Sequence, residues 1–200
     1  MKKKVMVAIS GGVDSSVAAA LLQEQGCEVC GVTLKLFSNS DIGIEERTRT
    51  CCSLEDVLDA RSVAYKLGFD HYVFNFGEHF KESVMSRFVN EYLQGRTPNP
   101  CIDCNRFVKF GRLIERALLL GYDYIATGHY ARVEYNEATG RYELKKARDA
   151  SKDQTYVLYA LTQHELAHTL FPLGDMLKSE VREYAERRGL VNARKPDSQD

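Results

Sequence analysis

Short apolar runs alternate along this chain with longer segments that carry apolar residues at helical spacing. The run over residues 5–9 is continuous and of strand length, which is typical of a parallel strand buried on both faces. Further strand-like runs begin near residues 28, 71 and 122, and helical patterns separate them. The pattern predicts an α/β fold with a doubly wound, mostly parallel sheet and helices on both faces.

The second half of the chain departs from this alternation once. Residues 132–147 alternate around a turn at 136–140, which predicts a β-hairpin. A charged helix is expected over residues 178–188, with Ser179 as its cap. We find no internal repeat or obvious linker, so residues 1–200 are expected to form one domain.

A glycine-rich turn directly follows the first strand. Residues 10–16 have the sequence SGGVDSS and open an Ala/Leu-rich helical pattern, for which Asp14 or Ser15 is the expected cap. Adjacent glycines let backbone N–H groups approach a ligand, and a helix N-terminus favours an anion. The unit therefore predicts a phosphate site, with an ordinary turn as the alternative. The letters fit neither a Walker A loop nor a spaced dinucleotide loop.

A second unusual stretch places two cysteines after two prolines. Residues 95–105 have the sequence GRTPNPCIDCN, which predicts a rigid extended turn presenting Cys101 and Cys104. This spacing suits a redox pair, half of a zinc or iron–sulfur site, or one nucleophilic thiolate. Because no second CxxC lies in a suitable loop, reactive thiol chemistry is the favoured interpretation.

The helix after the cysteines has a predicted basic face. At α-helical spacing its four basic residues fall within one arc, beside an apolar arc. Such a face is more often merely solvated, but beside a reactive thiol it suits a phosphate backbone. The four residues are Arg106, Lys109, Arg112 and Arg116.

Other candidate ligand contacts lie at predicted strand ends. In a doubly wound sheet the carboxyl ends of the strands line the ligand crevice, so the backbone near Leu34 is expected beside a nucleotide base. Gly128 would permit close approach, and His129 would face the crevice unless it is a hydrogen-bonded structural histidine. Residues 151–154, SKDQ, suit contact with phosphate or a base, and equally an ordinary helix cap.

Composition narrows the class of protein. The chain has 200 residues, of which 44% are hydrophobic and 28% charged, and no apolar run approaches membrane length. The lysines at the start precede no signal-peptide core, so we expect a soluble cytoplasmic protein with no membrane partner and mostly reduced cysteines. The net charge of −1 neither requires nor excludes a nucleic-acid partner. Residues 38–50 are polar and aperiodic, which predicts a mobile loop before Cys51 and Cys52.

Taken together, these motifs resemble those of the bacterial tRNA 2-thiouridylases (tRNA-uridine 2-sulfurtransferases), which belong to the PP-loop ATPases, or N-type ATP pyrophosphatases. The matching stretches are SGGVDSS, RTCCSLED, GRTPNPCIDCNRFVKFG, ATGHYAR, SKDQTYVL and KPDSQD, and they span essentially all 200 residues. The resemblance implies an adenine nucleotide alpha hydrolase-like fold. SGGxDS alone would indicate only the superfamily.

The resemblance also implies site residues. Cys104 would be the nucleophilic cysteine, and Asp14 a second catalytic residue in the loop. The implied ATP contacts are Ala8, Ile9, Ser10, Gly11, Gly12, Val13, Asp14, Ser15, Leu34 and Gly128. The implied tRNA contacts are Asn99, Pro100, Cys101, His129, Lys152, Asp153 and Gln154.

The implied reaction is 2-thiolation of the wobble uridine of tRNA. ATP would adenylate the uracil C2 oxygen with release of pyrophosphate, Mg²⁺ would neutralise the phosphates, and sulfur from a persulfide loaded by a partner carrier would displace AMP. Some family members carry Asp where this chain has Cys101, so that thiol is a bystander, a resolving thiol or an iron–sulfur ligand. The family's persulfide-bearing cysteine follows Ser-Gln-Asp, so we expect a catalytic domain that stops before it and lacks the C-terminal tRNA-binding domains.

Two alternatives stay open. Another PP-loop enzyme, of the amide-forming or 2-thiocytidine type, would need the same loop. A fragment that only binds ATP or tRNA would need no Cys104 chemistry.

Overall fold

Five strands form one parallel sheet: the four that the apolar runs predict and a short fifth strand, Thr169–Leu170, that they do not. The computed structural model describes residues 2–37 and 54–197. The strand order is β3-β2-β1-β4-β7, and every neighbouring pair is parallel. Strands β5 and β6 form the separate antiparallel hairpin that the alternation predicts. The strands are β1 Lys4–Ala8, β2 Glu28–Lys35, β3 His71–Asn75, β4 Tyr124–Ala126, β5 Ala131–Asn136, β6 Arg141–Lys146 and β7 Thr169–Leu170.

Helices cover both faces of the sheet. Side chains on the central strand β1 alternate: Val5 and Val7 pack against Ala19, while Met6 packs into a cluster that contains Phe110. The doubly wound α/β class is therefore confirmed. The α-helices are α1 Val13–Glu24, α2 Leu54–Leu67, α3 Gly77–Phe80, α4 Ser86–Leu93, α5 Pro100–Asp103, α6 Leu113–Leu119, α7 Gln163–Ala167 and α8 Lys178–Arg187.

Two helical regions contain π-helical segments that the sequence did not predict. Lys81–Met85 joins α3 to α4, and Cys104–Arg112 joins α5 to α6. In the second segment the freed hydrogen-bonding capacity has an external partner, since His79 Nε2 lies 3.1 Å from the carbonyl oxygen of Phe107. Such segments are frequent at functional sites.

Both predicted caps are wrong. Gly12, not Asp14 or Ser15, is the N-cap of α1, because Gly12 is the last residue with an extended backbone. Leu177, not Ser179, precedes α8, and the carboxylates of Asp149 and Glu180 accept from the N–H groups of Lys178 and Leu177 at 2.9 and 2.7 Å. One acceptor, Glu180, thus lies in the first turn of α8, and the other, Asp149, comes from a distant loop. None of the described helices is both long and apolar enough to span a bilayer.

Candidate active site

The loops after β1 and β4 meet at the carboxyl edge of the sheet. The strand order reverses between these two neighbours, so the crevice between them is the topological switch point where open α/β sheets bind ligands. Gly128, after β4, lies directly against the start of α1: a Cβ there would be 2.6 Å from the Ser15 nitrogen and 2.8 Å from the Asp14 carbonyl carbon. The predicted close approach at Gly128 is therefore to the protein's own loop.

Serine hydroxyls close the loop on itself. Ser15 Oγ accepts from the Ser10 N–H and donates to the Gly12 carbonyl oxygen, both at 3.2 Å. Ser16 Oγ donates to the same carbonyl at 3.0 Å. The two serines therefore tie residues 10–12 to the first turn of α1.

Asn192, which the sequence analysis did not single out, binds the backbone of the loop. The two N–H groups of its Nδ2 are shared among three acceptors, the carbonyl oxygens of Gly11 and Gly12 at 3.0 and 3.1 Å and Ser16 Oγ at 2.8 Å. The side chain is almost fully buried, at 2% exposure. In a trans peptide the C=O and the next N–H point in opposite directions, so these bonds turn the N–H groups of Gly12 and Val13 away from Asn192. The result is a donor array suited to an anion at the N-terminus of a helix.

The back of the loop rests on α2. Gly11 has a φ of +79°, and a Cβ there would be 2.5 Å from the Asp56 carbonyl oxygen. Only glycine combines that backbone with that approach. Lys195 Nζ reaches α2 as well, at 2.7 Å from Asp56 Oδ1 and 2.6 Å from Asp59 Oδ2.

The Asp14 carboxylate lies in the first turn of α1 with two donors from distant segments. Tyr130 Oη donates to Oδ1 at 2.8 Å, and Lys178 Nζ lies 2.7 Å from both oxygens. Burial, followed by the Asp14 charge, raises the pKa of Tyr130 well above its usual value, so Tyr130 remains a donor. Asp14 is thus fixed at the start of α1 by both donors.

Asp197 gathers three cations beside Asp14. Its carboxylate accepts from Lys152 and Lys178 at 2.9 Å each and from Arg182 at 2.5 Å. Burial pulls the pKa of Asp197 upward, but the hydrogen bonds from Lys152 and Lys178 outweigh burial and hold it well below its usual range. Lys178 contacts both carboxylates, and only 12% of its side chain is exposed.

Of the SKDQ stretch, only Lys152 points toward this cluster. Asp153 accepts from the Ala147 N–H at 2.8 Å and from Thr155 Oγ1 at 2.6 Å. Gln154 exchanges two hydrogen bonds with the backbone of Tyr130, both 3.0 Å long. Gln154 thus braces the segment that carries Tyr130, while Asp153 fastens the end of β6, and the contact of both residues with tRNA stays a prediction.

His129 is buried rather than open to the crevice. It is 7% exposed, its Nδ1 lies 2.7 Å from Thr127 Oγ1, and its ring packs against Phe110 and Phe171. Burial and the charge of Lys109 lower the pKa of His129 well below its usual value, so the imidazole is neutral. The structural interpretation of His129 fits this geometry, because the β4 loop turns inward onto the helix that contains Phe110.

The two cysteines lie on helix, not on the extended turn that the prolines predict. Pro100 occupies the first position of α5, and the Asn99 side chain caps it by accepting from the Cys101 N–H at 2.9 Å. Cys104 opens the π-helical segment, and both thiols are half-buried. They border the same apolar cluster as Ala8, the last residue of β1, so the thiol region and the end of the strand that leads into the phosphate loop pack on one cluster.

The predicted single basic face is divided in the structure. The π-helical turns change the spacing over Cys104–Arg112, so the arc derived from 3.6 residues per turn does not hold there. Arg106 stacks on Phe107, Arg112 pairs with Glu115, and Arg116 stacks on Phe74. Lys109 alone is close enough to His129 to affect its pKa.

Two other predicted features are Leu34 and the polar loop that precedes Cys51 and Cys52. Leu34 is buried near the carboxyl end of β2, one strand from the loop, and its contact with a base stays a prediction. The predicted mobile loop at 38–50 and the pair Cys51 and Cys52 lie outside the described residues.

Sequence reasoning missed Asn192 and Lys178. Lys178 carried one usable signal, because a cation in the first turn of a helix opposes the helix dipole and calls for a nearby anion. The sequence around Asn192 carried no comparable signal.

Comparison with known proteins identifies the family to which this chain belongs. A family model described as the tRNA methyl transferase HUP domain matches residues 3–200. A tRNA-specific 2-thiouridylase MnmA of Clostridioides difficile is 55% identical over 200 residues, covering 100% of this chain and 55% of that protein. MnmA 1 of a Thermoanaerobacter species is 57% identical, covering 100% of this chain and 56% of that protein. The chain spans about half the length of the curated relatives it matches.

Solved structures with low sequence identity share the fold. A 4-thiouridine synthetase, solved as an RNA complex with bound ATP, has a TM-score of 0.60 at 16% identity and covers 97% of this chain and 43% of that one. NMN synthetase from Francisella tularensis has a TM-score of 0.58 at 17% identity and covers 98% of this chain and 66% of that one. These likenesses support the adenine nucleotide alpha hydrolase-like fold.

Proposed function

Because this chain belongs to the tRNA methyl transferase HUP domain family, we propose that it carries the ATP-binding and base-activating centre of a tRNA 2-thiouridylase. The observation that carries the proposal is identity of 55–57% over the whole chain with proteins of that name. The loop at the switch point between β1 and β4 supports it independently, because it is built to receive phosphate.

The reaction would begin at the SGGVDSS loop. Backbone N–H groups of Gly12 and Val13 would receive the phosphates of ATP, with the α-phosphate toward the crevice. The uracil C2 oxygen would attack the α-phosphorus, and the bond to the β-phosphate would break to release pyrophosphate. This converts a poor leaving group into AMP, which sulfur attack at C2 can then displace.

Asp14 is the one carboxylate of the loop itself, and its oxygens suit Mg²⁺. Mg²⁺ would neutralise the charge that develops on the phosphates. The Asp14 carboxylate would bind Mg²⁺ in place of the Lys178 ammonium group. Within residues 2–37 and 54–197 there is no group of three or more His, Cys, Asp or Glu side chains that could hold a metal, and an iron–sulfur cluster at Cys101 stays a prediction.

The sulfur half of the reaction would use the helical cysteines. Cys104 would act as the nucleophilic thiol, while Asn99, Pro100 and Cys101 at the start of α5 would approach the uridine. Sulfur would come from a persulfide that a partner carrier protein loads: its terminal sulfur would attack C2 and displace AMP, and the Cys104 thiolate would then attack the inner sulfur, which breaks the S–S bond, forms a disulfide and releases 2-thiouridine. The substrate would be the wobble uridine of a tRNA, extruded from its stack. His129 would support the tRNA-contacting region by packing beneath it, and Lys152 would attract the tRNA through its positive charge.

The test is a chimera in which these 200 residues replace the matching half of the Clostridioides difficile relative. With ATP, Mg²⁺, a persulfide donor and unmodified tRNA, we expect 2-thiouridine in nuclease digests analysed by mass spectrometry. The Cys104→Ser chimera should form none, and the Cys27→Ser chimera is the control for loss of a thiol elsewhere. Undiminished thiolation by Cys104→Ser would refute the thiol role.

A further inference from the structure

The cluster around Asp197 resembles an anion site that is already filled. Three cations, Lys152, Lys178 and Arg182, converge on one carboxylate, and Lys178 also contacts Asp14 in the phosphate loop. These cations come from separate segments: Lys152 precedes the short helix Thr155–Val157, and the other two lie on α8. A surface ion pair needs one cation, so three around one carboxylate mark a site suited to more negative charge.

The carboxylate belongs to a segment that is attached at several points. Residues 191–197 bind the loop through Asn192, α2 through Lys195, and α8 through Arg182, whose Nη1 donates to the carbonyls of Ala193 and Lys195 at 3.1 Å. Asp197 is the last described residue, and its side chain is 36% exposed. Asn192 and Lys195 can therefore keep the segment in place when Asp197 leaves.

We propose that Lys152, Lys178 and Arg182 form a subsite for the pyrophosphate end of the nucleotide, and that Asp197 occupies it as an internal stand-in until polyphosphate displaces it. The subsite rests on the proposed function, since it extends the ATP site at the SGGVDSS loop. Inorganic phosphate oxygens and a carboxylate compete for the same N–H donors, and a bound pyrophosphate would repel Asp197 at close range. Occupancy of the nucleotide site would thus set the position of the chain at residue 197.

The proposal predicts an increase in affinity on removal of a native ion-pair partner. Asp197→Asn removes the competing charge and keeps the side-chain shape, so inorganic pyrophosphate should bind this variant about fivefold more tightly or better. Lys178→Gln and Arg182→Gln should bind it several-fold more weakly. If the cluster only fastened the segment, Asp197→Asn would bind pyrophosphate equally well or more weakly.

The measurement is calorimetric titration of the 200-residue chain with Mg²⁺-pyrophosphate, with circular dichroism confirming the fold of each variant. Glu186→Gln is the matched control: it removes the same charge and frees Arg194 of the same segment, outside the cluster, so its affinity should equal that of the parent. Equal or weaker binding by Asp197→Asn overturns the subsite. If that variant does not fold, Lys152→Gln against the exposed Lys146→Gln decides, since equal affinities would refute the role of Lys152.

This titration separates the two proposals, because it requires neither tRNA nor sulfur. Absence of pyrophosphate binding in every variant would overturn both the subsite and the ATP site. Binding that Asp197→Asn does not strengthen would overturn the subsite alone.

Discussion

Replacing Gly128 with alanine tests whether the contact between the β4 loop and α1 shapes the phosphate loop. The added Cβ would lie 2.6 Å from the Ser15 nitrogen and 2.8 Å from the Asp14 carbonyl carbon, and these are backbone atoms that cannot rotate away. Overpacking of this kind costs about 1–3 kcal/mol of unfolding free energy. For a domain of this size that is a fall in Tm of about 2–12 °C.

The same displacement should weaken ATP binding, since it moves the first turn of α1. We expect about a tenfold rise in Kd, or about 1.4 kcal/mol, in an equilibrium titration with ATP and Mg²⁺ well below Tm. Gly77→Ala is the matched control, because its nearest neighbour would be the Asn75 side-chain oxygen at 3.3 Å and it lies outside the crevice. An unchanged Tm together with an unchanged Kd for Gly128→Ala would refute the close contact.

Three further outcomes follow from the site. Asn192→Ala should lower the free energy of unfolding by about 1–3 kcal/mol and weaken ATP binding, because the Gly11 and Gly12 carbonyls lose their buried donor. Denaturant titration measures the first effect and ATP titration the second. Normal ATP affinity would contradict the role of Asn192 in shaping the loop. Below about pH 6.5 the unfolded chain takes up a proton at His129 that the folded chain does not, so the free energy of unfolding should fall there by up to about 1.4 kcal/mol per pH unit and be unaffected at higher pH. Urea titrations from pH 7.5 to 5.5 should show a shallower fall for His129→Gln. A residual slope should remain in that variant, because burial also lowers the pKa of His71. Cys104→Ser should leave ATP affinity within about twofold of the parent while thiolation by the chimera is lost, and a parallel loss of ATP binding would show that the thiol region acts through the fold instead.

The fold was largely predictable because buried parallel strands leave continuous apolar runs. The first strand, the hairpin and the glycine turn are each encoded in one continuous stretch of the chain, so local reasoning reaches them. The cap of α8 was mispredicted for the opposite reason. The carboxylate of Asp149 caps α8 from a distant loop, and no local pattern records that contact.

The site was predictable where it is made of a contiguous motif. SGGVDSS indicates phosphate binding from its own letters, whereas Asn192 reaches Gly11 across 181 positions of sequence. The π-helical segment from Cys104 explains one further error, because it changes the spacing of the basic residues and divides the predicted basic face. The segment contacts distant parts of the chain through the buried Phe110 and through His79, and local reasoning does not reach these contacts.

Product analysis of the chimera tests the central claim most directly. ATP should be cleaved between its α and β phosphates in a step coupled to the tRNA. We expect one AMP and one pyrophosphate for each 2-thiouridine formed, with no pyrophosphate release when tRNA is omitted. Thiolation without ATP, or thiolation that yields ADP and phosphate, would contradict it.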